Sequence, residues 1–303
     1  SHSSAIVLRS KVPVDQNGSN SDVLDTLFNW NNVITGNDIM GYAYGVASMG
    51  TGVLWDQGRA EYKKYYNENN LIADNVIHDV TKAGVFVGFE YNSFVKNNMI
   101  FNVTGECSDE AAGIIAGGEA RYGWFGYNNI NLTIDGNEIS NVFAPVFDGM
   151  LLPKAMGIKV EQSNNSYLHP QFNNVYYPDV PENSMVVNNI VRDLRVQEAS
   201  LSANLASRVG IHMLTSRTFD DQVSEMERNF LPFSPGYMSR EDKVINNTVV
   251  INDDGGIVTA GALAGIAIQD LKDAKVMNNA IAYLDQEIDH TPNSSMVHAA
   301  LVY

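Results

Sequence analysis

One phrase of nine residues recurs along the chain and keeps the same internal spacing each time. It opens with Asn, Asp or Glu, continues with Ile or Val three residues later and Asn six residues later, and closes with Ile or Val. The central asparagines of its seven copies are Asn37, Asn75, Asn98, Asn137, Asn189, Asn247 and Asn279. This self-similarity predicts a solenoid of stacked repeats, because each repeat can bury its apolar residues only against its neighbours.

A second phrase alternates with the first and consists of Gly followed by apolar residues at every other position. Its six copies begin at Gly45, Gly84, Gly113, Gly157, Gly210 and Gly265. Alternation with a period of two predicts β-strands. The shortest repeat, from Asn75 to Asn98, has 23 residues, which is too few for a strand–helix–strand unit. The sequence therefore predicts coils of three short strands whose inward side chains form one continuous core.

The recurring asparagine is expected at a tight corner between the second and third strands of each coil. Asn tolerates left-handed backbone geometry, and its side-chain amide can hydrogen-bond to the asparagine of the next coil. The seven asparagines are therefore interpreted as structural and not as catalytic.

This pattern of repeats resembles the right-handed parallel β-helix superfamily, which includes pectate lyases, polygalacturonases, other polysaccharide lyases and hydrolases, and phage tailspikes. The resemblance covers residues 31–290 and includes no catalytic motif of any one family, so it predicts the fold and leaves the activity open. It implies that the Gly phrase is the first strand of each coil and that a polysaccharide lies over that strand. It also implies an extracellular location or one on a cell or virion surface.

The predicted fold class is all-β, a right-handed parallel β-helix of about seven or more coils. Residues 1–30 are predicted to form an N-terminal cap, in which Ser21 and Asp22 precede a short helix, and residues 31–303 the β-helix. The apolar final strand carries no polar cap, which indicates either a longer chain or cover by another subunit. A homotrimer is therefore left open.

Composition and charge narrow the classes of function. A formal net charge of -16 and a pI near 4.6 argue against nucleic acid as a partner, because phosphate binding depends on clustered Lys and Arg. The sequence has no apolar run of the length that predicts a membrane span. The lone Cys107 excludes an internal disulfide and is expected to be a buried small residue.

The extra residues of the longer coils fall on either side of the Gly strand and never at the Asn corner. They lie before it at 104–111, 143–155 and 195–207, and after it at 115–130, 162–182 and 215–240. Long segments on both sides of one strand predict the walls of a groove. Aromatic side chains such as Tyr122 and Trp124 could stack on sugars there, or else pack within the loops or against another subunit.

Alternation predicts that Lys159, Glu161 and His212 face outward into this groove. Stacking of adjacent coils in register makes Lys159 a neighbour of His212. The remaining residues of the Gly strands predicted to face outward are Phe86, Glu90, Ile115 and Glu119, with Gly88 and Gly117 leaving the groove floor bare beside Glu161.

Two chemistries fit these residues. Glycoside hydrolysis needs one protonated and one ionised carboxyl group, for which Glu119 and Glu161 are the predicted pair. Polysaccharide elimination needs a base such as Lys159 or His212 and a group that neutralises the substrate carboxylate, such as Arg217 or a metal ion. No cofactor is required, although a Ca²⁺ site built from Glu90, Glu119 and Glu161 is left open.

We expect a polysaccharide partner, with hydrolysis of a neutral or weakly acidic glycan favoured over elimination because the chain itself is acidic. The predicted catalytic residues are Glu119, Glu161, Lys159 and His212, and the predicted substrate-binding residues are Glu90, Trp124, Tyr122, Arg217 and Phe86. The alternatives are a non-catalytic glycan-binding or structural fibre or adhesin module, and a solvated face of weak ion pairs.

Overall fold

A computed structural model describes most of the repeats. The described residues are 3–9, 29–50, 52–56, 61–105, 110–118, 128–144, 154–163, 182–196, 207–216, 239–252, 262–284 and 297–302. The helix predicted after Asp22 lies outside these ranges.

Every regular element among the described residues is a β-strand, and three long sheets of parallel strands contain most of them. The first sheet consists of β1 (Ser4–Arg9), β4 (Tyr44–Met49), β10 (Ala83–Gly88), β14 (Glu110–Gly117), β17 (Lys154–Ser163), β21 (Ser207–Ser216), β25 (Ala262–Gln269) and β29 (Val297–Val302). The second consists of β2 (Val33–Thr35), β8 (Leu71–Ala73), β12 (Phe94–Lys96), β15 (Thr133–Asp135), β18 (Met185–Val187), β23 (Lys243–Ile245) and β27 (Lys275–Met277).

The third sheet contains the strands that follow each Asn corner. Its members are β3 (Asp38–Met40), β9 (Val76–Val80), β13 (Met99–Val103), β16 (Glu138–Ala144), β19 (Ile190–Arg192), β24 (Thr248–Asn252) and β28 (Ala280–Leu284), with β20 (Leu194–Val196) paired to β16. Short parallel pairs join β7 (Asn67–Glu68) to β11 (Glu90–Tyr91) and β22 (Ser239–Arg240) to β26 (Leu271–Lys272). An antiparallel hairpin joins β5 (Gly52–Asp56) to β6 (Glu61–Tyr65).

The chain visits the first, second and third sheets in turn and then repeats the circuit. This topology is the right-handed parallel β-helix that the sequence predicted. Within residues 1–30, the segment predicted to form the cap, β1 pairs in parallel with β4 at the edge of the first sheet.

The core is the stack of inward side chains from the three sheets. Ile77, Ile100 and Ile139 occupy equivalent positions on successive strands of the third sheet, and none has measurable exposure. Full burial of an Ile side chain contributes about 1.5–3 kcal/mol to the free energy of unfolding. The repeated apolar positions are therefore the main source of stability.

The glycine of the second phrase is required by close packing inside this core. A Cβ added at Gly113 would lie 2.8 Å from the carbonyl oxygen of Gly157 and would overlap Cγ2 of Ile139 on the third sheet. Because the first and third sheets approach this closely, a side chain at the position displaces backbone as well as a neighbour.

The asparagine ladder predicted at the corner is confirmed. Asn137 donates from its backbone N–H and from Nδ2 to Oδ1 of Asn189, each at 2.9 Å, and from Nδ2 to the carbonyl oxygen of Val95 at 2.9 Å. The same donation to the next coil links all seven asparagines in order.

The left-handed backbone conformation, however, belongs to the residue before each ladder asparagine. These residues are Gly36, Asp74, Asn97, Gly136, Asn188, Asn246 and Asn278. The corner thus divides two tasks that the sequence had assigned to one asparagine. The first residue turns the chain, and the second hydrogen-bonds the coils together.

A second column of buried polar residues follows the corner between the first and second sheets. In the lower coils, Oδ1 of Asn70 accepts from the backbone N–H of Asn32 at 3.0 Å, and its Nδ2 donates to the carbonyl oxygen of Asn29 at 3.2 Å. Asp242 occupies the equivalent place higher up, where Oδ1 accepts from the N–H of Ser184 at 2.9 Å. Its Oδ2 has no hydrogen-bond partner among the described residues. Burial raises the pKa of Asp242 to about 7.

We expect Asp242→Asn to stabilise the protein at alkaline pH. The pKa of Asp242 in the folded state lies above the usual pKa of an unfolded Asp. The contribution of Asp242 to the free energy of unfolding is therefore fully present below the unfolded pKa and is lost as the pH rises towards about 7. Asn keeps the acceptor and supplies a neutral donor, as Asn70 does. The free energy of unfolding should rise by about 2–3 kcal/mol at pH 8 and change little at pH 4.

Urea unfolding from pH 4 to pH 8 measures this effect. The matched control is Asp273→Asn, which alters an exposed aspartate of the next coil and should leave the pH dependence as it is. Identical pH profiles for the wild type and Asp242→Asn would contradict the assignment.

Candidate functional site

The candidate site lies on the outer face of the first sheet, where β17 and β21 run side by side. Lys159 of β17 is the direct parallel partner of His212 of β21, as predicted from the stacking of coils. The same row continues downward to Ile115 of β14 and upward to Ala267 of β25. Residues far apart in sequence therefore meet because their coils are in register.

Lys159 is held between two carboxylates. Its Nζ lies 2.8 Å and 3.0 Å from the two carboxylate oxygens of Glu110, and 2.6 Å from Oε2 of Glu161. Nζ of Lys82 lies 3.8 Å from Oε1 of Glu110, the oxygen that is 2.8 Å from Nζ of Lys159. These four side chains are between 4% and 15% exposed, so the ion pairs are shielded from water and are stronger than pairs on an open surface.

The charges of these groups follow from their surroundings. Burial alone would lower the pKa of Lys159, but Glu110 and Glu161 outweigh it and raise this pKa above its ordinary value. Burial would raise the pKa of Glu110, but Lys159 and Lys82 hold it below the usual range. Burial lowers the pKa of His212 to about 4, with Lys154 and Lys159 acting in the same direction. At neutral pH the site therefore presents an ammonium, a carboxylate and an uncharged imidazole.

Two glycines lie beside Glu161. Gly117 is the parallel partner of Glu161, and Gly118 follows with a φ of 75°. A Cβ at Gly118 would lie 2.7 Å from Cδ and 2.8 Å from Cβ of Glu161. The absence of a side chain at this position therefore makes room for the Glu161 carboxyl group to reach Lys159.

The prediction that Glu90 faces the groove was wrong. Phe89 has a φ of 52°, which interrupts the alternation of the strand and turns Glu90 into the interior, where it has no measurable exposure. Its carboxyl group accepts hydrogen bonds from Ser48, from Ser93 Oγ at 2.5 Å, from Asn67 Nδ2 at 3.1 Å and from Asn70 Nδ2 at 3.2 Å. Burial raises the pKa of Glu90, and this effect outweighs the four hydrogen bonds, which act to lower it.

Phe86 faces outward, as predicted, but is only 3% exposed. Its ring lies 5.8 Å from that of Tyr44, and both belong to an apolar layer on the outer side of the first sheet together with Ile115 and Met156. Phe86 therefore supports this layer and offers almost no surface to a ligand. The other predicted site residues, Glu119, Tyr122, Trp124 and Arg217, lie outside the described residues, as does Cys107.

Glu110 is the site residue that sequence reasoning missed. It lies in the segment 104–111, which was interpreted as a loop, although β14 already begins there. A signal was present, because Glu110 precedes Gly113 by the same interval as Lys154 precedes Gly157, and the two are parallel partners. Extending the register of the Gly phrases three residues backwards would have placed Glu110 on the sheet.

The Ca²⁺ site left open for Glu90, Glu119 and Glu161 cannot include both Glu90 and Glu161, because Glu90 lies inside the solenoid and Glu161 lies on its outer face. Within the part of the chain that the structure describes, no three His, Cys, Asp or Glu side chains come together in a way that could hold a metal ion. The described residues also include no helix long and apolar enough to cross a membrane.

No protein-family model matches this sequence, and neither does any curated protein. A search of solved structures finds similarity to the A-module of the mannuronan C-5 epimerase AlgE4 of Azotobacter vinelandii, with 11% sequence identity and a TM-score of 0.33. The chain is a parallel β-helix. The match covers 89% of this β-helix and 65% of the epimerase module.

Proposed function

We propose that this β-helix acts on a polysaccharide lying across the outer face of the first sheet, with Lys159 and His212 at the reacting position. The observation that carries the proposal is their parallel pairing, which sets a fixed ammonium beside a neutral imidazole. Two small residues lie near the pair, since Ala267 is the upper neighbour of His212 and Gly117 pairs with Glu161, whereas the lower neighbour of Lys159 is Ile115. The two small residues leave space for a chain of sugars at their positions.

The charge states favour β-elimination on a uronate. In that reaction a cation neutralises the sugar carboxylate while a base takes the proton from the carbon next to it. The electron pair of that C–H bond forms a carbon–carbon double bond, the bond from the next carbon to the leaving oxygen breaks, and the leaving oxygen takes up a proton from water. The raised pKa of Lys159 suits it to the role of the cation and not of the base. His212 is uncharged at neutral pH and partly exposed, and so it is the proposed base.

A bound uronate would also strengthen His212 as a base. Burial, Lys154 and Lys159 together lower the pKa of the imidazole in the free protein. A substrate carboxylate placed against Lys159 would offset part of this positive charge and raise the pKa of His212 towards the working pH.

Hydrolysis is the second candidate, supported by the two carboxylates that share one ammonium. Such a pair places two acidic groups close together, as glycoside hydrolysis requires. The reaction also needs a protonated carboxyl group, and the pKa of Glu110 is lowered. The acid would then be Glu119, as in the pairing that the sequence predicted with Glu161.

The products and one variant test the proposal. On a panel of polyuronates and neutral glycans, elimination gives an ultraviolet-absorbing double bond, whereas hydrolysis gives reducing ends without it. We expect His212→Gln to reduce kcat/KM for elimination at least about 100-fold, since general-base catalysis contributes that much or more. His78→Gln is the matched control, because His78 lies on the third sheet between Asp38 and Asp79.

The pH profile gives an independent check. With a free-protein pKa of about 4, His212 stays uncharged above that pH, so kcat/KM should hold down to pH 5 and fall by half near pH 4. Full activity of His212→Gln would exclude His212 as the base. Glycan binding without any product would favour the non-catalytic module instead.

A further inference from the structure

Glu110 connects the cation of the proposed site to a third strand of the sheet. Its two carboxylate oxygens accept from Nζ of Lys159 at 2.8 Å and 3.0 Å, although the two residues are 49 positions apart. Glu161 contacts the same ammonium from the strand of Lys159 itself, at 2.6 Å. The ammonium is therefore held by anions on two strands.

This arrangement restrains a side chain that would otherwise be flexible. A lysine stem has four rotatable bonds, and fixing it costs about 2 kcal/mol of rotamer entropy. Burial of Lys159 at 8% exposure removes water as an alternative partner. Contact with both oxygens of Glu110 thus specifies where the positive charge lies on the outer face.

We propose that Glu110 is a positioning residue, which fixes the Lys159 ammonium beside His212 and keeps it charged, so that a substrate carboxylate can be bound there. This inference rests on the proposed function, and Glu110 acts only through Lys159. Among the described residues, the other charged groups around Lys159 and His212 are Glu161, Lys154 and Lys82, of which Lys82 contacts Glu110, and the partner of His212 on β25 is the uncharged Ala267.

Amine labelling tests the effect of Glu110 on Lys159 without any substrate. A brief pulse of acetic anhydride modifies only uncharged amines, and peptide mass spectrometry measures the rate at each lysine. We expect Glu110→Gln to raise the labelling rate of Lys159 at pH 10 about tenfold or more, since each unit by which the pKa falls exposes ten times more free amine. Lys96 and Lys243 are internal references that should not change.

Two controls separate positioning from loosening of the fold. Glu138→Gln removes a surface carboxylate that pairs with Arg192 at 2.8 Å, and it should leave the labelling of Lys159 as in the wild type. Glu110→Asp keeps the charge one methylene further back and should give an intermediate rate, which also provides a reading if Glu110→Gln fails to fold. Equal rates at Lys159 in the wild type, Glu110→Gln and Glu110→Asp would overturn the inference.

Kinetics distinguish failure of this inference from failure of the proposed function. On a polyuronate that the wild type cleaves, Glu110→Gln should raise KM about tenfold with a smaller effect on kcat, because a misplaced ammonium weakens binding of the carboxylate. An unchanged KM would exclude Glu110 as a positioning residue and would leave the proposed function in place. A wild type that cleaves no glycan would remove the proposed function, while the labelling rates still decide whether Glu110 positions Lys159.

Discussion

Replacement of Lys159 by methionine is expected to destabilise the fold by about 3–5 kcal/mol, the usual cost of removing one partner from a buried ion pair. Glu110 and Glu161 would then be left close together without the ammonium that both contact at 3.0 Å or less. Activity should disappear as well if Lys159 neutralises the substrate carboxylate. Urea unfolding near pH 7 gives the change in stability.

The matched control is Lys96→Met, which removes a lysine that is 46% exposed and pairs with Asp135 at 3.2 Å. A pair this open to water contributes about 1 kcal/mol or less. The double variant Lys159→Met, Glu161→Gln should recover much of the lost stability, because the remaining carboxylate of Glu110 still faces the buried Lys82 at 3.8 Å. Equal costs for Lys159→Met and Lys96→Met would show that burial of this cluster has no energetic consequence.

Substitution of Gly113 by alanine should cost about 3 kcal/mol or more, at the upper end of what overpacking of a core costs. The added Cβ would lie 2.8 Å from the carbonyl oxygen of Gly157, and no side-chain rotation can relieve a contact with backbone. Strands β14 and β17 would have to separate, with loss of the hydrogen bonds that set the register of the site. Thermal and urea unfolding measure the effect.

A comparison with Gly36→Ala isolates packing from backbone conformation. Gly36 has a φ of 69° and nothing within 4 Å of an added Cβ, so only the left-handed conformation opposes Ala there, at about 1 kcal/mol. The double variant Gly113→Ala, Ile139→Val should return only a small part of the loss, because valine keeps the Cγ2 methyl that the added Cβ overlaps and the contact with the Gly157 carbonyl oxygen persists. Similar costs at Gly36 and Gly113 would contradict a packing origin for the Gly phrase.

The sequence predicted the fold and the meeting of Lys159 with His212 because both depend on periodicity alone. The position of a residue relative to the Gly of its own phrase fixes its parallel partner, although the segments between the phrases differ in length. The same reasoning identified the asparagine stack, since a side chain repeated at one corner can hydrogen-bond to its copy in the next coil.

Prediction failed where the backbone leaves the extended conformation. The left-handed backbone conformation of Phe89 places Glu90 on the interior side of the solenoid, and the alternation of the preceding strand does not predict this change. Glu110 was missed for the opposite reason, since the strand extends further back than its apolar pattern. Charge states were also inaccessible from the sequence, because the pKa of His212 depends first on its burial and then on Lys154 and Lys159 in the coil below.

The bidentate link from Lys159 to Glu110, and the pairing of Lys159 with His212, have a consequence for how such a protein can diversify. Peptide hydrogen bonds between neighbouring strands hold Lys159 and His212 about 4.8 Å apart as parallel partners, and they fix Glu110 on β14 opposite Lys154 of β17. Segments joining the strands can therefore lengthen, shorten or be exchanged without altering the spacing of these side chains. Under the proposed function, selectivity for different glycans would change by loop replacement while the candidate site keeps its geometry.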